Sequence, residues 1–93
     1  MSAWRFEFSQ GAEKDLAVLD RALRRRTIDR LDWLATNFNR IIPLPLGGEF
    51  HGFYKLRVGD WRVIYRIEKT DIIILKIGHR REVYQRAARR LKR

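Results

Sequence analysis

The sequence predicts a single α+β domain in which helices pack on one face of a mostly antiparallel sheet. Three observations carry this. An alternating apolar and charged run, Trp4-Arg5-Phe6-Glu7-Phe8, opens the chain. Two stretches of helical spacing follow it, and three strand-like runs joined by short polar turns fill the second half. At 93 residues the chain is too short to divide into two cores, so residues 1–93 form one domain. A composition of 45% hydrophobic and 12% aromatic residues supplies a packed interior rather than a disordered tail.

The opening alternation predicts a strand with one buried face. Ser9 is placed to cap a helix in which Ala12, Leu16 and Leu19 follow helical spacing. Asp20 is placed to cap a second, whose apolar stripe is Leu23, Ile28, Leu31, Leu34, Ala35 and Phe38. Arg24, Arg25, Arg26 and Arg30 lie on its charged side. Pro43, Pro45, Gly47 and Gly48 break regular structure and mark the one long connection. A strand is expected from about Phe53 to Val58, a two-residue turn at Gly59-Asp60, and a second strand from Trp61 to Ile67. After a polar turn from Glu68 to Asp71, Ile72 to Ile77 is nearly continuous in Ile and Leu, as a strand buried on both faces would be. A short helix is predicted from Glu82 onward, with Tyr84, Ala88 and Leu91 on one side and Arg86, Arg89, Arg90, Lys92 and Arg93 around it. The order is strand, two helices, three-stranded antiparallel meander, short helix. The sheet face away from the helices is expected to be open for function.

Charge is the strongest bulk feature. Lys and Arg number 21 against 11 Asp and Glu, a formal charge of +10. Such a balance, rich in arginine whose planar fork matches phosphate bidentately, points to a nucleic-acid partner. The absence of cysteine excludes a disulfide framework, a zinc–thiolate site and thiol chemistry. Two histidines, His51 and His79, are too few for a histidine-only metal site, so neither a metal nor a cofactor is expected. No run approaches a membrane span, and Met1 to Glu7 has no signal-peptide pattern, so a soluble cytoplasmic protein without membrane attachment is expected.

The hairpin pattern concentrates the charge. With Gly59 and Asp60 as loop residues, Val58 faces Trp61, Arg57 faces Arg62 and Lys55 faces Ile64. Alternation then puts Lys55, Arg57, Arg62 and Arg66 on one face. Tyr54, Leu56, Val58, Trp61, Val63, Tyr65 and Ile67 collect on the other, as a core face. Two arginines directly across a strand pair repel and destabilise the sheet. A solvated basic face whose charges splay apart is one reading; an anion site, where a bound phosphate offsets the repulsion, is the other and accounts for the cost. A three-residue loop would turn Arg62 to the opposite face.

Gly52 to Ile67 (GFYKLRVGDWRVIYRI) and Ile77 to Tyr84 (IGHRREVY) resemble the RelE/ParE superfamily of bacterial toxin–antitoxin systems, and the resemblance runs along the whole chain in element order. It implies a RelE-like fold and an mRNA interferase that cleaves messenger RNA in the ribosomal A site. There the 2′-hydroxyl of one nucleotide attacks its own 3′ phosphodiester and leaves a 2′,3′-cyclic phosphate. The family's catalytic set falls on Lys55, Arg57, Arg62, Arg80 and Tyr84. Arg62 and Arg80 suit charge stabilisation on the non-bridging oxygens. Lys55, crowded by cations that disfavour its charged form, suits the general base. Arg57 stands where some relatives have lysine and, being too weak an acid to act as a base, suits phosphate binding. Tyr84 suits stacking on a substrate base. His79 is a further candidate acid–base group, since some relatives use a histidine, though a structural hydrogen bond at that strand end is as common. Arg66, Arg81, Arg24, Arg25 and Arg26 are expected to contact RNA. Glu82 either pairs with a site arginine or opens the last helix. The implied partners are mRNA, the ribosome and a cognate acidic, RelB-like antitoxin in a hetero-oligomer. Two rivals stand beside this reading: a ParE-like inhibitor of DNA gyrase without nuclease activity, whose relatives share the fold but usually lack the full Lys/Arg/Tyr set, and a basic RNA-binding module without catalysis.

Overall fold

The computed structural model describes residues 3–91. Five strands form one sheet: β1 (Arg5–Phe8), β2 (Leu44–Pro45), β3 (Tyr54–Val58), β4 (Trp61–Glu68) and β5 (Asp71–His79). Their spatial order is β1-β5-β4-β3-β2, with β1 parallel to β5 and every other pair antiparallel. Helices α1 (Gln10–Ala17) and α2 (Arg21–Asn37) connect β1 to β2, and α3 (Val83–Arg90) closes the described chain. Lys92 and Arg93, expected around the last helix, lie outside the described residues.

Both predicted caps form. Ser9 Oγ accepts from the Ala12 amide at 3.2 Å, and Asp20 Oδ1 from the Leu23 amide at 2.8 Å, each meeting a donor that the first helical turn leaves unpaired. Leu19, Leu23, Leu31, Leu34, Ala35 and Phe38 then pack on Leu56, Val58, Val63, Tyr65, Ile72, Ile74 and Ile77, the core face. The apolar stripe of α2 has a polar member that periodicity does not reveal. Thr27 is fully buried in place of the half-buried Ile28, and its hydroxyl donates to the Leu23 carbonyl at 2.8 Å, so no donor is stranded.

The hairpin is as predicted. Gly59 (φ 61°) and Asp60 make a two-residue loop, and the register pairs Val58 with Trp61, Arg57 with Arg62 and Lys55 with Ile64. Glycine at the first loop position takes the left-handed conformation without cost. Within the long connection, Leu44 and Pro45 pair with Lys55 and Tyr54 as a two-residue edge strand, where proline's missing donor does no harm.

The opposite sheet face is only partly open. Ile64 interrupts its run of cations and is fully buried beneath Val83 and Ala87 of α3, with Leu46, Phe50, Phe53, Tyr84 and Leu91 around them. Gly78, opposite Arg62, admits this packing: a Cβ there would stand 3.2 Å from two carbons of Val83. So α1 and α2 share the core face, and α3 seals one corner of the other.

Candidate functional site

The open part of that second face carries the candidate site. Lys55 and Arg57 on β3 and Arg62 on β4 share it, with Arg57 directly opposite Arg62. Lys55 is half-buried and Arg57 exposed, and neither side chain has a hydrogen bond or ion pair among the described residues. Arg62 turns toward the loop: its Nη1 donates to the carbonyls of Gly59 at 2.8 Å and Trp61 at 2.9 Å. This draws the guanidinium along the strand, eases the repulsion from Arg57 and fixes it at the hairpin tip. None of the three forms an ion pair with a carboxylate among the described residues, which leaves this part of the face positive.

Arg80 joins the tip from β5. Its amide donates to the Asp60 carbonyl at 2.8 Å, and its Nε lies 3.4 Å from Asp60 Oδ1, with half of the side chain exposed. Tyr84, in the first turn of α3, is half-buried with its ring 6.1 Å from Phe50, beside the Ile64 that pairs with Lys55. Cations and an aromatic wall thus meet along one edge. Phe50 and Phe53 belong to that wall, and nothing in the sequence pattern singles them out, because both lie in or beside the Gly-rich connection.

His79 lies elsewhere. It pairs with Trp61, whose ring it meets edge-on at 5.6 Å on the core face, and its Nδ1 accepts from the Arg81 amide at 3.3 Å. The strand alternation puts it on the other sheet face from Lys55, Arg57 and Arg62. His51 is exposed, on the rim of a cavity of about 640 Å³ between the connection and α3. Glu82 precedes α3 and pairs with Arg86 at 2.8 Å, leaving the site arginines alone.

The remaining basic candidates divide. Arg66 shares the site face but pairs with Glu68 at 2.9 Å toward the far end of β4. Arg81 is exposed beside the tip. Arg24 donates to the Leu19 carbonyl at 3.0 Å and Arg25 faces Asp29 at 3.8 Å, both on α2 behind the sheet. Arg26 reaches round the open edge of β3: its Nη2 stands 2.9 Å from where a Gly59 Cβ would be, and it lines a small cavity with Arg30 and Arg57. Of the three helix arginines, this one meets the site.

Sequence reasoning passes over a buried charge cluster next to the site. Asp15 of α1 accepts from Lys76 Nζ (3.2 Å), the Ile77 amide (3.0 Å), Arg90 Nη1 (2.7 Å) and Arg90 Nη2 (3.1 Å). Burial alone would raise its carboxyl, but the bonds from Arg90, the Ile77 amide and Lys76 outweigh that and hold it below the ordinary carboxylate range. The signal was available: a lone lysine in the apolar run Ile72 to Ile77 must find a carboxylate partner to be buried. No group of three or more metal-ligating side chains occurs among the described residues, and no helix there is long and apolar enough to cross a membrane.

Known proteins resemble this chain in sequence and in fold. Residues 6–84 match the family described as ParE toxin of type II toxin-antitoxin system, parDE. Toxin RelG of Mycobacterium tuberculosis is 41% identical over 44 residues, a match covering 45% of this chain and about half, 51%, of that relative. Among solved structures, the archaeal RelE–RelB complex from Pyrococcus horikoshii is 30% identical with a TM-score of 0.64, covering 83% of this chain and 94% of that one. The toxin–antitoxin complex RelBE2 from M. tuberculosis is 26% identical with a TM-score of 0.73, covering 82% and 96%. A mutant of Escherichia coli toxin RelE in the free state, 24% identical, shares the fold over 98% of this chain and 99% of its own, with a TM-score of 0.72. The chain belongs to the RelE/ParE superfamily of toxins of type II toxin–antitoxin systems.

Proposed function

We propose that this toxin is a metal-independent endoribonuclease that cleaves mRNA on the ribosome and is held in check by an acidic, RelB-like antitoxin. The observation that carries the reading is the hairpin register, which sets Arg57 across from Arg62 and beside Lys55, none of the three in an ion pair among the described residues. A fold under selection for stability alone gains nothing from that pairing. In the proposed reaction Lys55 takes the proton of a 2′-hydroxyl, the 2′-oxygen bonds to phosphorus and the bond to the 5′-oxygen breaks. The products are a 2′,3′-cyclic phosphate and a 5′-hydroxyl, solvent supplying the proton to the departing oxygen. Arg57 binds the phosphate, and the guanidiniums of Arg62 and Arg80, held at the tip, stabilise the charge that grows on its non-bridging oxygens without having to reorganise. Tyr84 offers its ring to a neighbouring base. The antitoxin partner is supported by the complexes with RelB that the solved relatives form.

A second reading has its own support. The matching family is named for ParE, and Arg62 and Arg80 already engage the protein's own carbonyls and carboxylate. A ParE-like toxin would bind DNA gyrase and cut nothing. Programmed ribosomes incubated with the wild type, Lys55→Ala and Arg62→Ala separate the two when mRNA ends are mapped. Site-specific ends bearing a cyclic phosphate, reduced about 100-fold or more in each variant, support the nuclease. Intact mRNA together with arrested gyrase supercoiling would install the ParE-like reading in its place.

A further inference from the structure

We propose that Asp15 is a positioning residue for Tyr84, acting through Arg90 to fix the rotation of α3 over the site. The part given to Tyr84 rests on the nuclease reading above; the hold on α3 does not.

Strand β1 pairs with β5 only through Ile74, and a bulge at Leu75 follows, where Ile64 pairs with Lys76 and Tyr65 with Ile74. Beyond that point no strand satisfies the outer edge. Asp15 takes the Ile77 amide at 3.0 Å and Arg90 gives a hydrogen bond to the Leu75 carbonyl at 3.0 Å. These two side chains stand in for the missing strand, and they also bond each other twice, at 2.7 and 3.1 Å. Lys76 balances the charge from within, its side chain only 8% exposed.

The consequence falls on α3. Eight residues make a helix that is marginal by itself, and Glu82 gives it no side-chain cap. Its orientation therefore comes from its anchors. Val83, Ala87 and Arg90 recur at the spacing of one helical face. The first two lie on Ile64 and Gly78, and the third reaches Asp15. Small apolar contacts at Val83 and Ala87 let a short helix roll; a bidentate ion pair about a turn beyond them does not. Tyr84 lies roughly 100° round the helix from Val83, so any roll carries its ring away from Phe50 and from the Lys55 edge. Gly11 of α1 lies against the same guanidinium: a Cβ there would stand 2.9 Å from Arg90 Cζ, so a larger residue obliges the Arg90 head group to shift.

The test uses Asp15→Asn, which weakens the bidentate pair, and Gly11→Ala, which displaces Arg90 while leaving Asp15 and Lys76 intact and favouring helix α1. Amide hydrogen exchange should rise about 10-fold or more across Val83–Arg90 in both variants, with β3 and β4 as protected as in the wild type. mRNA cleavage on ribosomes should fall toward the level of Tyr84→Ala, and Asp15→Asn combined with Tyr84→Ala should be no slower than Tyr84→Ala alone, whereas combination with Lys55→Ala should multiply the losses. Unchanged exchange in α3, a rise spread through β4, or multiplied losses with Tyr84→Ala overturns the proposal. A wild type that leaves mRNA whole overturns the nuclease reading and Tyr84's share with it; the exchange measurement, made without RNA, still decides whether Asp15 holds α3.

Discussion

Arg57→Glu is expected to make this protein more stable while abolishing cleavage. Arg57 and Arg62 are cross-strand partners, and a like-charged pair so placed costs about 0.2–1 kcal/mol. Arg62 escapes part of that cost by turning its Nη1 onto the Gly59 and Trp61 carbonyls. The lower half of the range, about 0.5 kcal/mol, therefore applies to the repulsion. Glutamate removes it and adds an attraction of similar size, for a total of about 1 kcal/mol. In a domain of this length that corresponds to a rise in Tm of about 4–8 °C. Arg57→Thr should show about half of the gain. Thermal and urea unfolding of the three proteins, at roughly 10 mM and 1 M salt, checks this. The screening length contracts from about 30 Å to about 3 Å between those conditions, so the charge contribution should largely vanish at high salt while any strand preference of the new side chain persists. If Arg57→Glu is no more stable than the wild type at low salt, or its gain survives 1 M salt, the pair carries no electrostatic cost. The case for an anion site built on that cost then fails.

Gly78→Ala should loosen α3, because the new methyl would press on Val83 from 3.2 Å; a loss of about 1–3 kcal/mol in urea unfolding is expected, and an unchanged midpoint would show that the helix has room to shift. Acid should weaken the wild type through Asp15. Its folded-state carboxyl titrates below the ordinary 3.8, so its contribution is complete above that value and is lost as pH falls through the depressed one; the stability gap between wild type and Asp15→Asn should close below about pH 4. A gap that does not narrow at all as pH falls below about 4 contradicts the assignment. Alkali acts in the opposite sense on Tyr65, whose hydroxyl burial, followed by the neighbouring Tyr54, pushes up to about 12. Stability should be full below pH 10 and decline between 10 and 12, and ultraviolet titration should show one late tyrosine that is absent in Tyr65→Phe.

The hairpin was legible because each of its determinants is local, whereas the β2 edge strand and the parallel pairing of β1 with β5 join segments that no local pattern links. Gly59-Asp60 sets a two-residue turn, the turn sets the register, and the register sets which face each of Lys55, Arg57 and Arg62 occupies. The caps at Ser9 and Asp20 were equally local. What escaped depends on chain segments far apart in sequence. Asp15 and Arg90 are separated by 75 residues, and no periodicity couples them. Ile64 gave a clearer hint, since a large apolar side chain amid cations requires a cover, but the cover's identity depends on Gly78 admitting Val83. His79 shows the same limit from the other side: its chemistry suits acid–base work, while its pairing with Trp61 turns it to the wrong face.

The two charge clusters differ in a way that separates structure from function. Around Asp15 every charge is answered: one carboxylate, two cations, a backbone amide and a carbonyl close on one another, as groups removed from water must. Elsewhere five more acids are committed, Asp71 to Arg5, Asp29 to Arg25, Glu68 to Arg66, Asp60 to Arg80 and Glu82 to Arg86. Lys55, Arg57 and Arg62 receive none of them. With 11 acids among 21 bases some cations must go without. Most of these, such as Arg21, Arg40, Lys69 and Arg89, are spread over the surface, where neighbours can splay apart at little cost. Lys55, Arg57 and Arg62 instead share one rigid hairpin, two of them directly opposed, and under the proposed function that is where a phosphodiester offsets the repulsion.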